Sequence, residues 1–213
     1  MTVVFLHAFP LDERMWAGQH AGPLYTIAPR LYGLGQTMDE WAAAVADEVE
    51  GELTLVGASM GGYCALALAR REPERVRGAL LLGARPDADS NERRVGRAKT
   101  IELIREQGAE ALWRDMVPKL FAEERNADEQ LLFRDPDGLI GAVEAIRDRA
   151  DSTDVARALR DRVRFVVGEH DPFVSADELR EFDVRQIAGA GHLANLERPD
   201  EFNALLQEFL ADV

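Results

Sequence analysis

A chain of 213 residues, 46 % hydrophobic and 30 % charged, has an ordinary globular balance and enough length to bury one sizeable core. Its net charge of −14 argues against nucleic acid and an anionic membrane surface, since both select for an excess of lysine and arginine. No stretch is long and apolar enough to predict a transmembrane helix, and the start, Met1-Thr2-Val3-Val4-Phe5-Leu6-His7, lacks the basic region of a signal peptide.

Short apolar runs alternate with helical patterns, which predicts a parallel α/β sheet. Residues 3–6 read as a first strand ending at the loop His7-Ala8-Phe9-Pro10, and residues 24–28 as a second. Thr37-Met38-Asp39-Glu40 is a capping box, after which Trp41, Val45 and Val49 follow at helical spacing until Gly51. Residues 53–56 form a third predicted strand, a helix then runs to just before Pro73, and residues 76–82 form a fourth strand. From about residue 85 to 153 no strand is predicted. Ala109, Leu112, Trp113, Met116 and Val117 mark one amphipathic helix there, and Leu139, Val143 and Ile146 another. The expectation is a core of residues 1–84 and 154–213, with residues 85–153 inserted as a helical cap over the strand ends. Residues 163–167 and 184–187 supply two further strands. Pro199 opens a last helix with Phe202, Leu205, Leu206 and Phe209 on one face.

The single cysteine, Cys64, rules out an internal disulfide and fits a reducing cytoplasm; its neighbours Ala65, Leu66 and Leu68 read as those of a packed thiol. The histidines lack metal-ligand spacing, so no metal is expected.

The most specific signal is Gly57-Ala58-Ser59-Met60-Gly61-Gly62, a G-x-S-x-G turn between a predicted strand and a predicted helix. A serine hydroxyl becomes a useful nucleophile when a base takes its proton and donors receive the oxyanion. A sharp elbow pushes Ser59 Oγ outward and turns the Met60 amide to where that charge develops. In open α/β sheets ligands bind beyond the carboxyl ends of the strands. Four such ends carry candidate chemistry: the His7 loop, Ser59, Gly168-Glu169-His170-Asp171-Pro172, and Gly189-Ala190-Gly191-His192. Asp87, after the fourth strand, and Glu169 compete with Asp171 for the role of acid.

The order serine, acid, histidine resembles that of the α/β-hydrolase superfamily, and more narrowly its capped carboxylesterase and 3-oxoadipate enol-lactonase-like branch. Further pieces carry the likeness: Leu11-Asp12 with Met15-Trp16, Arg149-Ala150-Asp151-Ser152, and Asn195-Leu196-Glu197-Arg198-Pro199. The resemblance implies an α/β-hydrolase fold with a mostly parallel six-stranded sheet, a helical cap after the fourth strand, and no counterpart of the usual first two strands. It implies Ser59 as nucleophile, His192 as general base and later acid, and Asp171 as the carboxylate that orients the imidazole. The oxyanion hole would be the amides of Phe9 and Met60, with His7 bracing their loop. Relatives usually carry His-Gly where this chain has His7-Ala8; a positive φ at Ala8 would cost on the order of 1 kcal/mol. The pocket is expected to be apolar, walled by Phe9, Met60, Phe173 and cap residues such as Trp113, Met116 or Phe121. The implied activity is that of a carboxylesterase-like serine hydrolase acting on small hydrophobic esters or lactones through an acyl-enzyme, and it needs no cofactor. The same triad could serve C–C hydrolysis, perhydrolysis or acyl transfer, or the pocket could act as a receptor. The expected partner is thus a small ester or lactone, with neither nucleic acid nor membrane, and a homodimer is left open.

Overall fold

The computed structural model describes residues 1–213, the side chain of Arg125 excepted. Six strands pair in one sheet in the order β2-β1-β3-β4-β5-β6, and every pair is parallel. They are β1 (Thr2–Leu6), β2 (Tyr25–Ile27), β3 (Leu53–Ala58), β4 (Val76–Leu82), β5 (Val163–Gly168) and β6 (Asp183–Ile187). β1, β3 and β5 are buried along their whole length, as strands covered on both faces must be. The edge strand β2 leaves Tyr25 at the surface and is shorter than its apolar run suggests.

Helices close the two faces. α1 (Met38–Glu48) starts at the predicted capping box: Thr37 Oγ1 accepts the Glu40 N–H at 3.2 Å, and the Glu40 carboxylate accepts the Thr37 N–H at 3.3 Å. α2 (Met60–Arg71) follows β3 directly, and α7 (Pro199–Asp212) buries Phe202, Leu206 and Phe209. Between β4 and β5 the described residues are helical or irregular: α3 (Asn91–Leu120), α4 (Pro136–Arg147) and α5 (Thr153–Leu159), with short 3-10 turns. α3 is two helical pieces, because Gly108 (φ 78°, ψ −174°) interrupts it. The second piece carries the predicted apolar stripe. The first, residues 91–107, has a mostly polar surface and gives no such signal.

The chain moves outward from β1 to β2, then returns past β1 to β3 and proceeds the other way. The reversal lies between β1 and β3, so the loops after these two strands open a crevice at their carboxyl ends, where such sheets bind ligands. His7 sets the first of these loops. It is fully buried; its Nε2 accepts the Leu31 N–H at 2.9 Å and its Nδ1 donates to the Ala8 carbonyl at 3.2 Å. Burial lowers its pKa from 6.5 to about 4, against the smaller opposite pull of the Ala8 carbonyl, Glu13 and Asp12, so the imidazole is a neutral brace. Ala8 has no positive φ, so the alanine carries no left-handed strain.

This brace has a consequence for acid stability. The unfolded chain takes up a proton on His7 near pH 6.5, whereas the folded chain resists until about pH 4. Stability is therefore fully present above about pH 6.5 and is lost as pH falls through the window between those values. The loss amounts to about 3 kcal/mol, one pKa unit being about 1.4 kcal/mol. His7→Gln should flatten that part of the melting temperature against pH curve; equal slopes in both proteins would show that His7 does not couple folding to protons.

Candidate active site

Ser59 joins β3 to α2 with φ 48° and ψ −110°, a conformation that costs an L-residue on the order of 1–3 kcal/mol. Three backbone bonds hold the elbow: the Ser59 N–H donates to Leu82 O at 2.7 Å, and Ser59 O accepts the Gly62 N–H at 2.9 Å and the Tyr63 N–H at 3.2 Å. The motif glycine at 61 is required by contact, since a Cβ there would lie 2.0 Å from the Leu6 carbonyl oxygen of β1. That close approach brings the elbow beside the loop carrying Phe9. The backbone N–H groups of Phe9 and Met60 donate to no other described residue. Met60 follows the half-buried Ser59 directly, and Phe9 lines the same cavity as that serine.

His192 follows β6 and is almost wholly buried. Its Nδ1 donates to Asp171 Oδ2 at 2.8 Å, which leaves the Nε2 lone pair available as a base. Asp171 is itself pinned: Oδ1 accepts the Phe173 N–H at 2.8 Å and the Val174 N–H at 3.3 Å. The Phe173 ring meets the imidazole edge-on at 4.7 Å between centroids. A Cβ at residue 83 would lie 2.8 Å from the imidazole, so Gly83, with φ +57°, leaves the room that His192 occupies.

The other candidates stand elsewhere. Asp87 holds Arg85 at 2.6 Å and Arg93 at 2.7 Å; burial opposes its charge, but these two guanidiniums keep its carboxyl below the usual range. Glu169 is exposed and accepts the Gly189 N–H at 2.8 Å. His20 and His170 are exposed. Cys64 is fully buried, and burial pushes its thiol up to about 12, which leaves it without a nucleophilic thiolate.

Ser59 and His192 open into a cavity of about 280 Å³. Of the sequence-predicted wall residues, Phe9, Met116 and Phe173 line it, together with Leu120 and Ile146. Met60, Trp113 and Phe121 do not. Met60 is fully buried, and Trp113 packs edge-on against Phe121 at 6.3 Å in the core. The expectation of an apolar lining with few charges needs correction, because Arg85, Arg93, Arg97 and Lys119 also line the cavity, facing Asp89 and Asp115. The two pieces of α3 supply half of the residues of this wall.

Glu197, quoted above only for its place in a motif, is a buried carboxylate with four donors. It accepts N–H groups from Gly191 at 2.6 Å, Ala122 at 3.2 Å and Glu123 at 3.1 Å, and the Asn126 side chain at 3.1 Å. It ties the backbone before His192 to the segment leaving α3. A glutamate two residues before a helix-opening proline gives no local sign of that role. Among the described residues, no group of three or more His, Cys, Asp or Glu side chains is placed to hold a metal ion. No helix among them is long and apolar enough to cross a membrane.

Comparison with known proteins decides the family: the family model described as "Alpha/beta hydrolase family" matches residues 3–205. The chain belongs to the alpha/beta hydrolase family. This alpha/beta hydrolase superposes on a thermophilic esterase from Thermogutta terrifontis, solved with malate bound, with a TM-score of 0.88 and 28 % identity over 100 % of this chain and 90 % of that one. An enol-lactonase from Burkholderia xenovorans LB400 superposes with a TM-score of 0.80 at 24 % identity, over 99 % and 91 % of the two chains, a likeness of fold. In sequence the hydrolase is 28 % identical over 240 residues to a 2-succinyl-6-hydroxy-2,4-cyclohexadiene-1-carboxylate synthase from an Enterobacter species, covering 98 % of this chain and 91 % of the relative. The six-stranded parallel sheet flanked by helices is thus an α/β-hydrolase fold.

Proposed function

We propose that this alpha/beta hydrolase is a serine hydrolase that cleaves small carboxylic esters or lactones through an acyl-enzyme. The observation that carries the reading is the His192 imidazole, hydrogen-bonded by Nδ1 to an anchored Asp171, in the same cavity as a serine on a strained elbow. In the first half-reaction Ser59 Oγ attacks the carbonyl carbon as His192 Nε2 takes its proton. The tetrahedral oxyanion accepts hydrogen bonds from the Phe9 and Met60 amides, and the imidazolium returns the proton to the departing alcohol. In the second, His192 deprotonates a water that attacks the acyl carbon, and the acid leaves as Ser59 recovers its proton. α3 and α4 act as a cap over this chemistry. The similarity to an esterase supports ester cleavage, while the match to a synthase keeps other uses of the same residues, such as acyl transfer or C–C cleavage, as the second reading.

Incubation with a fluorophosphonate should attach one phosphonyl group to the peptide containing Ser59 and stop para-nitrophenyl ester turnover in proportion. A protein that binds esters but neither labels nor turns over would be a receptor on this fold.

A further inference from the structure

The charged wall of the cavity needs a purpose. The molecule as a whole carries a net charge of −14, yet four cations and only two carboxylates line this cavity. Counting the carboxylates that pair with these arginines from behind, Asp87 and Glu178, and the further arginine that shares Asp89, Arg149, the cluster still keeps one positive charge in excess. Lys119 and Asp115 pair with each other at 2.7 Å, so the excess belongs to the arginines.

Arg93 and Arg97 stand on one face of the first piece of α3, with Gly96 and Thr100, at the spacing that faces a helix one way. Neither is fully paired, although Arg93 Nε also donates to Ser90 Oγ at 3.4 Å. Asp87 takes Arg93 Nη2 at 2.7 Å, and Asp89, whose side chain is fully buried, takes Arg97 Nε at 3.0 Å. Arg93 Nη1 is buried without a hydrogen-bond partner, its nearest carboxylate oxygen being Asp89 Oδ1 at 3.8 Å. Asp89 cannot turn further toward it, because that same oxygen accepts Arg149 Nη1 at 2.6 Å. An unsatisfied buried guanidinium donor is costly, and a turn of the partly exposed Arg93 side chain that brings Nη1 to a ligand oxygen in the cavity would relieve it. The planar fork of arginine suits a carboxylate in particular.

We infer that Arg93 and Arg97, positioned by Asp87 and Asp89, form a subsite for a carboxylate on the substrate, remote from the ester that Ser59 attacks. The proposal rests on the esterase reading above and narrows it: the substrate is an ester or lactone of a dicarboxylic acid, with its carbon chain against Phe9, Met116 and Ile146 and its second carboxylate against the α3 arginines. Asp89 is a positioning residue.

The test compares para-nitrophenyl monoesters of adipic, pimelic and suberic acids with para-nitrophenyl esters of the unbranched fatty acids of equal length. For at least one length the monoester should have the higher kcat/KM. Arg93→Gln and Arg97→Gln should each lower that preference roughly 10- to 100-fold, the range for a hydrogen bond to a charged group. Arg105→Gln, an equal loss of charge on the exposed side of the same helix, should leave it unchanged. A wild-type preference for the neutral ester at every length, or an equal change in all three variants, would overturn the subsite. Absence of turnover with every ester would overturn the esterase reading instead. The subsite is then decided by whether the free dicarboxylates raise the melting temperature of the wild type and not of R93Q.

Discussion

Ser59→Ala should reduce ester hydrolysis by roughly 10⁴- to 10⁶-fold while leaving the fold in place, and should abolish fluorophosphonate labelling. The two effects have one cause, because Ser59 Oγ is the atom on which the acyl group and the phosphonyl group would both be carried. The size follows from what remains: His192, with Asp171 on its Nδ1, still lines the cavity, and under the proposed mechanism the Phe9 and Met60 amides would still receive the oxyanion while the covalent route is lost. Stability should change little, since Ser59 is half-buried and its side chain makes no hydrogen bond to the described residues. The elbow is held through its backbone, and alanine tolerates the positive φ no better and no worse than serine. Single-turnover kinetics and circular dichroism on the same samples check both halves. Turnover within tenfold of the wild type would remove Ser59 from the chemistry and the acyl-enzyme with it.

The sheet and the elbow were legible because their signals are local. Continuous apolar runs marked β1, β3, β4 and β5 within a residue or two, and the capping box at Thr37 and Glu40 placed the start of α1. What stayed illegible depends on distant parts of the chain. A stripe of Arg93, Gly96, Arg97 and Thr100 reads as a solvated helix face, and only its placement beside Phe9, Ser59 and His192 makes it a cavity wall. Trp113 and Phe121 were drawn toward the pocket because they are aromatic, yet a helix has two apolar options, and here they face the core. The interruption of α3 at Gly108 sets the two pieces at different phases, so no single helical period describes residues 91–120. The choice of Asp171 as partner of His192 rests on the resemblance, with Asp87 as its rival, for a topological reason. β4 and β5 are adjacent in the sheet, so Asp87 and Asp171 leave from neighbouring strand ends, and either carboxylate could stand near His192 on topology alone.

Geometry separates these two aspartates, and so should mutation. Asp171→Asn should cost roughly 10⁴-fold in kcat, the loss expected when an imidazole is held in the wrong tautomer. In this protein the amide orientation is dictated from behind: the oxygen facing the Phe173 and Val174 N–H groups must remain an acceptor. An asparagine satisfies them with its carbonyl oxygen and therefore turns its NH₂ toward His192 Nδ1. That nitrogen then has to accept, the proton moves to Nε2, and the imidazole can no longer take one from Ser59. The carboxylate that would stabilise the imidazolium in the transition state is lost in the same step. Asp87→Asn meets a different situation, because Asp87 faces two guanidiniums at a partly exposed position and touches neither Ser59 nor His192. Its cost with a neutral ester should stay below about tenfold, in keeping with the modest worth of exposed ion pairs. Nitrogen-15 NMR of the imidazole should show the Nδ1-protonated form in the wild type and the Nε2-protonated form in Asp171→Asn. A severe loss in Asp87→Asn beside a mild one in Asp171→Asn, with the tautomer unchanged, would move the acid from the end of β5 to the end of β4.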